Sequence, residues 1–351
     1  MKIETIKSVV LNSFRQIKYA ALCMLALTVI FASCNKDDDN NDEEEYLTLE
    51  GTPDFDLPIY AMVGDTLDLH ARGVTTERAT YTWAYPGLDT LYESDDQTHI
   101  KVIIPDSLAI YEITLTADCG EEYYSSSMVQ YVTALGDSSI TGTVKSEKIF
   151  TDPRDMREYG IVEIGNLEWF SENLKWAGAG QGFGKTEAAA HVMGRLYTWN
   201  DATNGESASG LGNGVQGVCP EGWSIPTNED WVDLAQAVNG GVEVDFAQDW
   251  KGIAPLLMAD AQFNGRAVWP YSPNVTPTND YGWNALAAGR ASNNYSLYSN
   301  MLSYGFWWSC SEKDSNTAYY KYIYSEFPNV SVNSCAKDGM AVSVRCVRLK
   351  K

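Results

Sequence analysis

Short stretches of alternating apolar and polar residues, each closed by glycine, proline or aspartate, dominate the sequence between residues 46 and 138. Clear examples lie at 66–70, 80–85 and 111–117. A period of two places successive side chains on opposite faces of a strand, so each stretch can bury one face only. Such segments, repeated about every ten to fifteen residues, predict a small β-sandwich with Trp83 between its sheets.

This first segment resembles PKD or bacterial immunoglobulin-like modules, although it lacks the Gly-Asp-Gly turn typical of PKD domains after the tryptophan strand. The resemblance implies that the segment serves as a stalk. His70 and His99 fall on predicted strands, where a histidine is usually an ordinary surface residue, and a binding role for either is the alternative. With only three histidines in the chain, His191 being the third, the composition predicts neither a metal site nor a cofactor.

Acidic residues outnumber basic ones by 47 to 25, which gives a formal net charge of -22. A polyanion of this size is repelled by nucleic acid and by anionic lipid headgroups. The charge therefore excludes general electrostatic binding to either, and we expect no nucleic-acid partner.

The first 45 residues read as a targeting segment. A basic leader precedes an uncharged run at 19–32, which is short for a membrane span and typical of a signal peptide. Small residues before Cys34 resemble the bacterial lipobox, so 1–33 is predicted to be a lipoprotein signal peptide and Cys34 the lipidated residue. The alternative is an ordinary secretory signal with an incidental cysteine.

Residues 34–45 form a predicted acidic tether, since seven of the eleven residues after Cys34 are acids. An acidic run after a lipidated cysteine resembles the export signal of surface lipoproteins. We expect a protein that is lipid-anchored in the outer membrane and exposed at the cell surface. A spacer facing the periplasm is the alternative.

The sequence changes character after residue 138, where tryptophan and glycine become frequent. Ten of the 11 tryptophans lie after residue 150. One helix is clear, because the capping pattern at 227–230 precedes Trp231, Leu234 and Val238 at helical spacing. The remaining turn signals predict a loop-rich α+β domain at 149–351.

This domain resembles the Fibrobacter succinogenes major paralogous (FISUMP) domain family through seven blocks in the same order and spacing. The blocks lie at 150–155, 162–174, 194–199, 219–231, 282–290, 306–309 and 343–347. Among them, 219–227 reads Cys-Pro-Glu-Gly-Trp-Ser-Ile-Pro-Thr and 343–347 reads Ser-Val-Arg-Cys-Val. The resemblance implies a C-type-lectin-like fold in a secreted or surface protein, without an established common activity.

The resemblance also implies a disulfide between Cys219 and Cys346, which lie in its two cysteine-bearing blocks. Cys310 and Cys335 are additional to the family pattern, which suggests a second bridge between them in an oxidising compartment. Metal binding by these thiols is an alternative, although no Cys-x-x-Cys pair occurs. Cys119 has no evident partner and is expected to be a free, buried thiol.

Two motifs suggest chemistry that their surroundings do not support. Residues 179–186 fit a relaxed phosphate-loop pattern, but no buried hydrophobic strand precedes them. Trp199-Asn200-Asp201 matches a triplet of calcium-dependent lectins, but the partner loop of those lectins is missing, so Trp199 is predicted to be core. No serine stands in a nucleophile elbow. We therefore predict no catalytic residue and no enzyme.

The region 291–338 mixes tyrosine, tryptophan, asparagine and serine, the chemistry of antibody paratopes. Candidate ligand-binding residues are Asn293, Asn294, Tyr295, Tyr298, Trp308, Tyr320, Tyr322 and Tyr324. The alternative is that these rings pack the core. The composition also resembles the variable regions of diversity-generating retroelement targets, which a near-identical template repeat beside the gene would support.

The leading hypothesis is a non-enzymatic surface lipoprotein whose lectin-like domain binds a glycan or a protein. A glycan-processing enzyme, or an accessory subunit of one, is the second hypothesis, because the acids are abundant and nothing singles out a catalytic pair. A structural envelope protein without a soluble ligand is the third.

Overall fold

The alternating stretches of the first region form strands in the computed structural model, which describes residues 46–350. The predicted lipidation site Cys34 and the other residues at 1–45 lie outside this range. The strands are β1 Leu47–Thr48, β2 Gly51–Asp54, β3 Tyr60–Met62, β4 Thr66–His70, β5 Arg72–Val74, β6 Thr80–Ala84, β7 Asp89–Glu93, β8 His99–Ile103, β9 Ile110–Asp118, β10 Tyr123–Tyr124 and β11 Ser126–Leu135.

Two main sheets of this region contribute to one core. One has the order β3-β11-β9-β6, with β3 parallel to β11, and the other is the antiparallel sheet β4-β8-β7. Trp83 contributes its ring to this core, 5.1 Å from the ring of Phe55. Its indole Nε1 donates to the Gln97 carbonyl at 2.8 Å, so the polar atom of this large side chain is satisfied.

The second region adds shorter strands and four α-helices. The strands are β12 Ile140–Thr141, β13 Lys148–Thr151, β14 Glu158–Ile164, β15 Leu167–Phe170, β16 Tyr197–Thr198, β17 Gln262–Phe263, β18 Arg266–Ala267, β19 Ala288–Ala291, β20 Tyr298–Met301, β21 Tyr304–Glu312, β22 Thr317–Tyr324, β23 Val330–Ala336, β24 Ala341–Val342 and β25 Val347–Leu349. The helices are α1 Glu187–Met193, α2 Trp199–Thr203, α3 Asn228–Val238 and α4 Ala254–Leu257. The chain from 46 to 350 is therefore predominantly β-sheet.

Helix α3 begins at the predicted capping box. The Thr227 hydroxyl accepts from the Asp230 backbone N–H at 3.1 Å, and the Asp230 carboxylate accepts from the Thr227 N–H at 2.9 Å. The helix buries Trp231, which joins three other buried tryptophans in a network of tilted and edge-on ring contacts. These tryptophans are Trp169, Trp283 and Trp307.

Arg345 connects three of the sequence blocks inside this core. Its guanidinium donates to the Asn173 side chain at 3.0 Å and to the Asn284 carbonyl at 2.8 Å, and it lies 4.0 Å from the centre of the Trp283 ring. Burial lowers the pKa of Arg345 to about 9, and these contacts satisfy its donors. The asparagines, tryptophan and arginine of the blocks thus act together in packing.

The two regions contact each other through named side chains. The segment between them contributes β12, which pairs with β17, and Asn264 donates to the Ala134 carbonyl at 2.9 Å. His191 on α1 lies 2.7 Å from the Asp137 carboxylate. Residues 46–351 group into one compact unit.

Cys219 and Cys346 form the disulfide that the family resemblance implies, with their Cα atoms 5.8 Å apart. The predicted bridge between Cys310 and Cys335 is wrong, because both are free thiols. Cys310 lies on β21 and Cys335 on β23, with β22 between them. Strands that flank a third strand lie two spacings, or about 9.5 Å, apart. A disulfide needs Cα atoms within roughly 7 Å of each other, so these two cysteines cannot be bridged. Among the described residues, no helix is long and apolar enough to cross a membrane.

Candidate ligand-binding face

One face of the sheet β21-β22-β23 carries a continuous set of aromatic rings. The alternation of β21 places Tyr304, Phe306 and Trp308 on the same side. The register pairs them directly with Tyr324, Tyr322 and Tyr320 of β22. We call Tyr304, Phe306, Tyr320, Tyr322 and Tyr324 the aromatic face. Its four tyrosines are half-buried, whereas Phe306 is almost fully covered.

The rings of the aromatic face touch one another in sequence across the two strands. Tyr304 stacks on Tyr324 with ring centres 4.3 Å apart and on Phe306 at 5.5 Å. Tyr322 lies 5.7 Å from Phe306 and 6.0 Å from Tyr320. Phe327, which is 58% exposed, continues the row 5.5 Å beyond Tyr324. The result is a contiguous and partly accessible aromatic surface, a feature that marks interaction sites more often than isolated exposed rings do.

Polar groups border this surface on both sides. Arg290 of β19 is exposed and its guanidinium carbon lies 5.8 Å from the centre of the Phe306 ring. On the other side, Asn333 and Ser331 of β23 stand opposite Tyr320 and Tyr322. The Ser331 hydroxyl already donates to the Asp249 carboxylate at 3.0 Å. The Arg290 guanidinium and the Asn333 amide are therefore the groups beside the rings that can donate hydrogen bonds to a bound molecule.

The hydroxyls of Tyr304, Tyr320 and Tyr324 remain protonated at physiological pH. Burial raises the pKa of Tyr320 to about 12. Burial, with a further contribution from a hydrogen bond to Glu326, raises the pKa of Tyr324 to about 12, and burial also raises the pKa of Tyr304. A neutral phenol both donates and accepts hydrogen bonds, so these rings offer apolar surface and polar recognition together.

The structure divides the predicted binding residues into separate groups. Tyr320, Tyr322 and Tyr324 lie together on the aromatic face. Trp308 is a correction, because it is fully buried and its indole Nε1 donates to the Tyr197 carbonyl at 2.8 Å. It lies on the same side of the sheet as the aromatic face, but the fold covers it completely, so it cannot meet a ligand.

The other four predicted residues lie elsewhere. The Tyr295 hydroxyl donates to the Leu196 carbonyl and the Asp201 carboxylate, both at 3.2 Å. The Tyr298 ring packs 5.2 Å from Phe183. Tyr298 pairs with Ala291, one residue along β19 from Arg290, and so points to the opposite side of that strand. Asn293 and Asn294 are exposed in the preceding loop.

Sequence analysis missed Arg290, Tyr304 and Phe306 as members of one surface. A signal for two of them was present, since residues 304, 306 and 308 alternate as 320, 322 and 324 do. Arg290 belongs to a different strand, and its approach to Phe306 depends on how β19 packs beside β21.

The two motifs set aside from sequence have structural roles. Thr186, in the glycine-rich stretch, caps helix α1 by accepting from the Ala189 N–H at 3.3 Å. Trp199 begins helix α2, is buried, and donates to the Ser309 carbonyl at 3.0 Å. Their polar atoms are thus used within the fold.

The family model of the Fibrobacter succinogenes major domain matches residues 162–348, which is more than half of the chain. The matched range includes the aromatic face, the tryptophan network and both cysteines of the disulfide. A search of curated proteins finds no match to this chain.

Proposed function

The chain belongs to the Fibrobacter succinogenes major domain family, and from this premise we propose that its second region is a binding module that recognises a glycan through the aromatic face. The observation that carries the proposal is the contiguous row of half-buried tyrosines on one sheet face. This surface combines aromatic rings with hydrogen-bonding groups.

The chemistry of the face suits a sugar ring. A pyranose has C–H groups on its faces and hydroxyls around its rim. Tyr304 and Tyr324 stack face to face, with 12° between their ring planes, so the edges of this pair and the half-buried rings of Tyr320 and Tyr322 provide the apolar surface for the sugar's C–H groups. Arg290 and Asn333 at the borders provide donors for rim hydroxyls. A protein ligand would use the same tyrosines as anchors and is the competing outcome of the test.

We also propose the arrangement in which this module is presented. Lipid on Cys34 would hold the chain in the outer membrane at the cell surface, and 34–45 would act as the acidic tether. The first region, as an immunoglobulin- or PKD-like stalk, would carry the second as a C-type-lectin-like head. The facing sheets around Trp83 support the first assignment, and the seven sequence blocks support the second.

The direct test screens residues 46–351 on a glycan array and measures the affinity of any hit by calorimetry. We expect a hit, and we expect Tyr320→Ala/Tyr322→Ala to bind at least about tenfold more weakly, since an aromatic anchor contributes roughly 1–2 kcal/mol or more. Tyr271→Ala is the matched control, because Tyr271 is 91% exposed and lies in the same region but off the aromatic face.

The same experiment separates the competing functions. A blank array together with binding to a partner protein would replace the glycan by a protein ligand. A blank array without any partner would favour the structural envelope hypothesis. Turnover of a glycan, lost when a single acid is changed, would establish an enzyme and overturn the proposal.

A further inference from the structure

Three metal-ligating side chains meet on the outer surface of the first region. The Asp68 carboxylate Oδ1 lies 2.6 Å from His99 Nε2 and 3.2 Å from His70 Nε2. One ligand atom from each of these residues lies within 4.8 Å of the others. Two of the three histidines in the chain are thus brought to one carboxylate oxygen.

The sheet register creates this arrangement. Strands β4 and β8 are antiparallel neighbours, with His70 opposite His99 and Asp68 opposite Lys101. Positions 68 and 70 are two apart on β4, so both side chains project from the same face. The imidazole rings stack with centres 4.1 Å apart and 14° between their planes, and the Tyr92 ring lies 5.0 Å from that of His99.

From this geometry we propose that His70, His99 and Asp68 form a binding site for a divalent transition-metal ion of the Zn²⁺, Ni²⁺ or Cu²⁺ class. Imidazole nitrogen suits these ions, whereas Ca²⁺ and Mg²⁺ prefer all-oxygen sites. Ligands about 2.0–2.1 Å from a tetrahedral Zn²⁺ lie roughly 3.3 Å from one another. The two separations at Asp68 Oδ1, 2.6 and 3.2 Å, lie near that value. To bind one ion, the stacked imidazoles must tilt toward each other so that the lone pairs of both Nε2 atoms converge.

The surroundings leave part of the coordination sphere open. The side chain of His70 is 65% exposed, and that of Asp68 is 46% exposed. Three protein ligands at such a surface leave at least one position for water or for a donor from another molecule. The site therefore suits a metal-mediated contact with a further ligand.

Lys101 competes with the metal ion for the Asp68 carboxylate. Its ammonium lies 2.7 Å from the other Asp68 oxygen, Oδ2. It therefore leaves Oδ1 available but opposes a second positive charge nearby. Replacing it with an uncharged side chain should strengthen metal binding.

The test titrates ZnCl₂ into metal-free residues 46–351 by calorimetry and adds Co²⁺ as a spectroscopic probe. We expect one Zn²⁺ per chain and a Co²⁺ spectrum without the thiolate charge-transfer band that cysteine ligands produce. His70→Ala, His99→Ala and Asp68→Asn should each weaken Zn²⁺ binding by about tenfold or more, with circular dichroism checking the fold. Lys101→Met should bind more tightly than the wild type.

The control is His191→Ala. His191 lies 2.7 Å from the Asp137 carboxylate, so this variant removes a histidine–carboxylate pair of the same kind from another place. We expect it to bind Zn²⁺ as the wild type does. No Zn²⁺ binding, unchanged binding in His70→Ala, or an equal loss in His191→Ala would each overturn the proposal.

Discussion

The two faces of the sheet β21-β22-β23 use aromatic residues for different purposes. On the inner face, Trp307 is fully buried, its ring 5.1 Å from that of Trp283, and its indole donates to the Asn173 side chain at 2.9 Å. On the aromatic face, tyrosines remain half-exposed. Tyrosine suits the partly exposed face, because its hydroxyl stays in water while its ring packs against its neighbours. Alternation along two strands thus gives one sheet both a core face and a partly exposed aromatic face.

The inner face also holds a buried amine. Lys321 lies between Tyr320 and Tyr322 in sequence but points the other way. Its Nζ donates to the Asn228 side chain at 2.9 Å and lies 5.9 Å from the centre of the Trp250 ring. A one-residue change of register would exchange this lysine for a tyrosine, so the lysine helps to specify which face is inside.

The largest effect on this comparison should come from removing the disulfide below the aromatic face. Cys219 and Cys346 share a core cluster with Phe306 and Trp308. Their sequence separation is 127 residues, so Cys219→Ser/Cys346→Ser should lower the free energy of unfolding by about 5 kcal/mol. Guanidinium unfolding followed by fluorescence measures this loss, and a change below about 1 kcal/mol would contradict the expectation.

The two faces should differ in their sensitivity to truncation. Trp307→Ala leaves a cavity in the tryptophan network and should cost about 3–5 kcal/mol. Tyr322→Ala, on the half-exposed side, should cost about 1 kcal/mol or less while removing a proposed ligand anchor. Urea unfolding of both variants gives the comparison, and equal losses would show that the aromatic face is core.

The buried lysine should give the inner face a pH dependence. Burial lowers the pKa of Lys321 from 10.5 to about 7. Between these values the unfolded chain holds a proton that the folded chain has released, so the free energy of unfolding rises with pH through this window. Below about pH 7 the folded protein must bury a charged ammonium group, so Lys321 lowers the free energy of unfolding most in this range.

We therefore expect Lys321→Met to remove this rise when unfolding is measured from pH 6 to pH 10.5, with the gain over wild type greatest at the acidic end. Lys251→Met, at an exposed position, is the control and should keep the slope. If the free energy of unfolding changes with pH in the same way for the wild type and for Lys321→Met, Lys321 is solvated and the expectation is wrong.

The smallest effect concerns the two thiols of the aromatic side. Cys310 is fully buried and burial raises its pKa to about 12, whereas Cys335 is half-buried with a pKa raised to about 11. Iodoacetamide should label Cys335 faster than Cys310 in the folded protein, as measured by peptide mass spectrometry. If neither cysteine reacts with iodoacetamide until a reductant is added, the two form a disulfide after all, contrary to the structure.

Much of the architecture is local and was predictable for that reason. The period-two stretches and the capping box at Thr227 act over a few residues, and the predicted strands and helix α3 are present in the structure. The family resemblance was equally accessible, because its blocks are contiguous in sequence. Tyr320, Tyr322 and Tyr324 share a strand face by alternation alone, so they could be grouped without knowledge of the rest of the fold.

The failures concern relations between distant strands. Sequence spacing did not show that β22 separates Cys310 from Cys335, or that Tyr197 covers Trp308. It also did not show that Arg290 approaches Phe306. Tyr295 and Tyr298 were grouped with the later tyrosines on composition. Tyr298, however, lies on β20 of the sheet β16-β24-β19-β20, and Tyr295 lies in the loop before that strand.

The sequence by itself determined the β-rich character, the second region's family and the side of each strand on which a residue lies, because these depend on local periodicity and contiguous motifs. Tertiary structure decided which faces are covered and which side chains from separate strands meet. The His70, His99 and Asp68 cluster shows why: register is set when the whole sheet buries its apolar side, and no single strand contains that information.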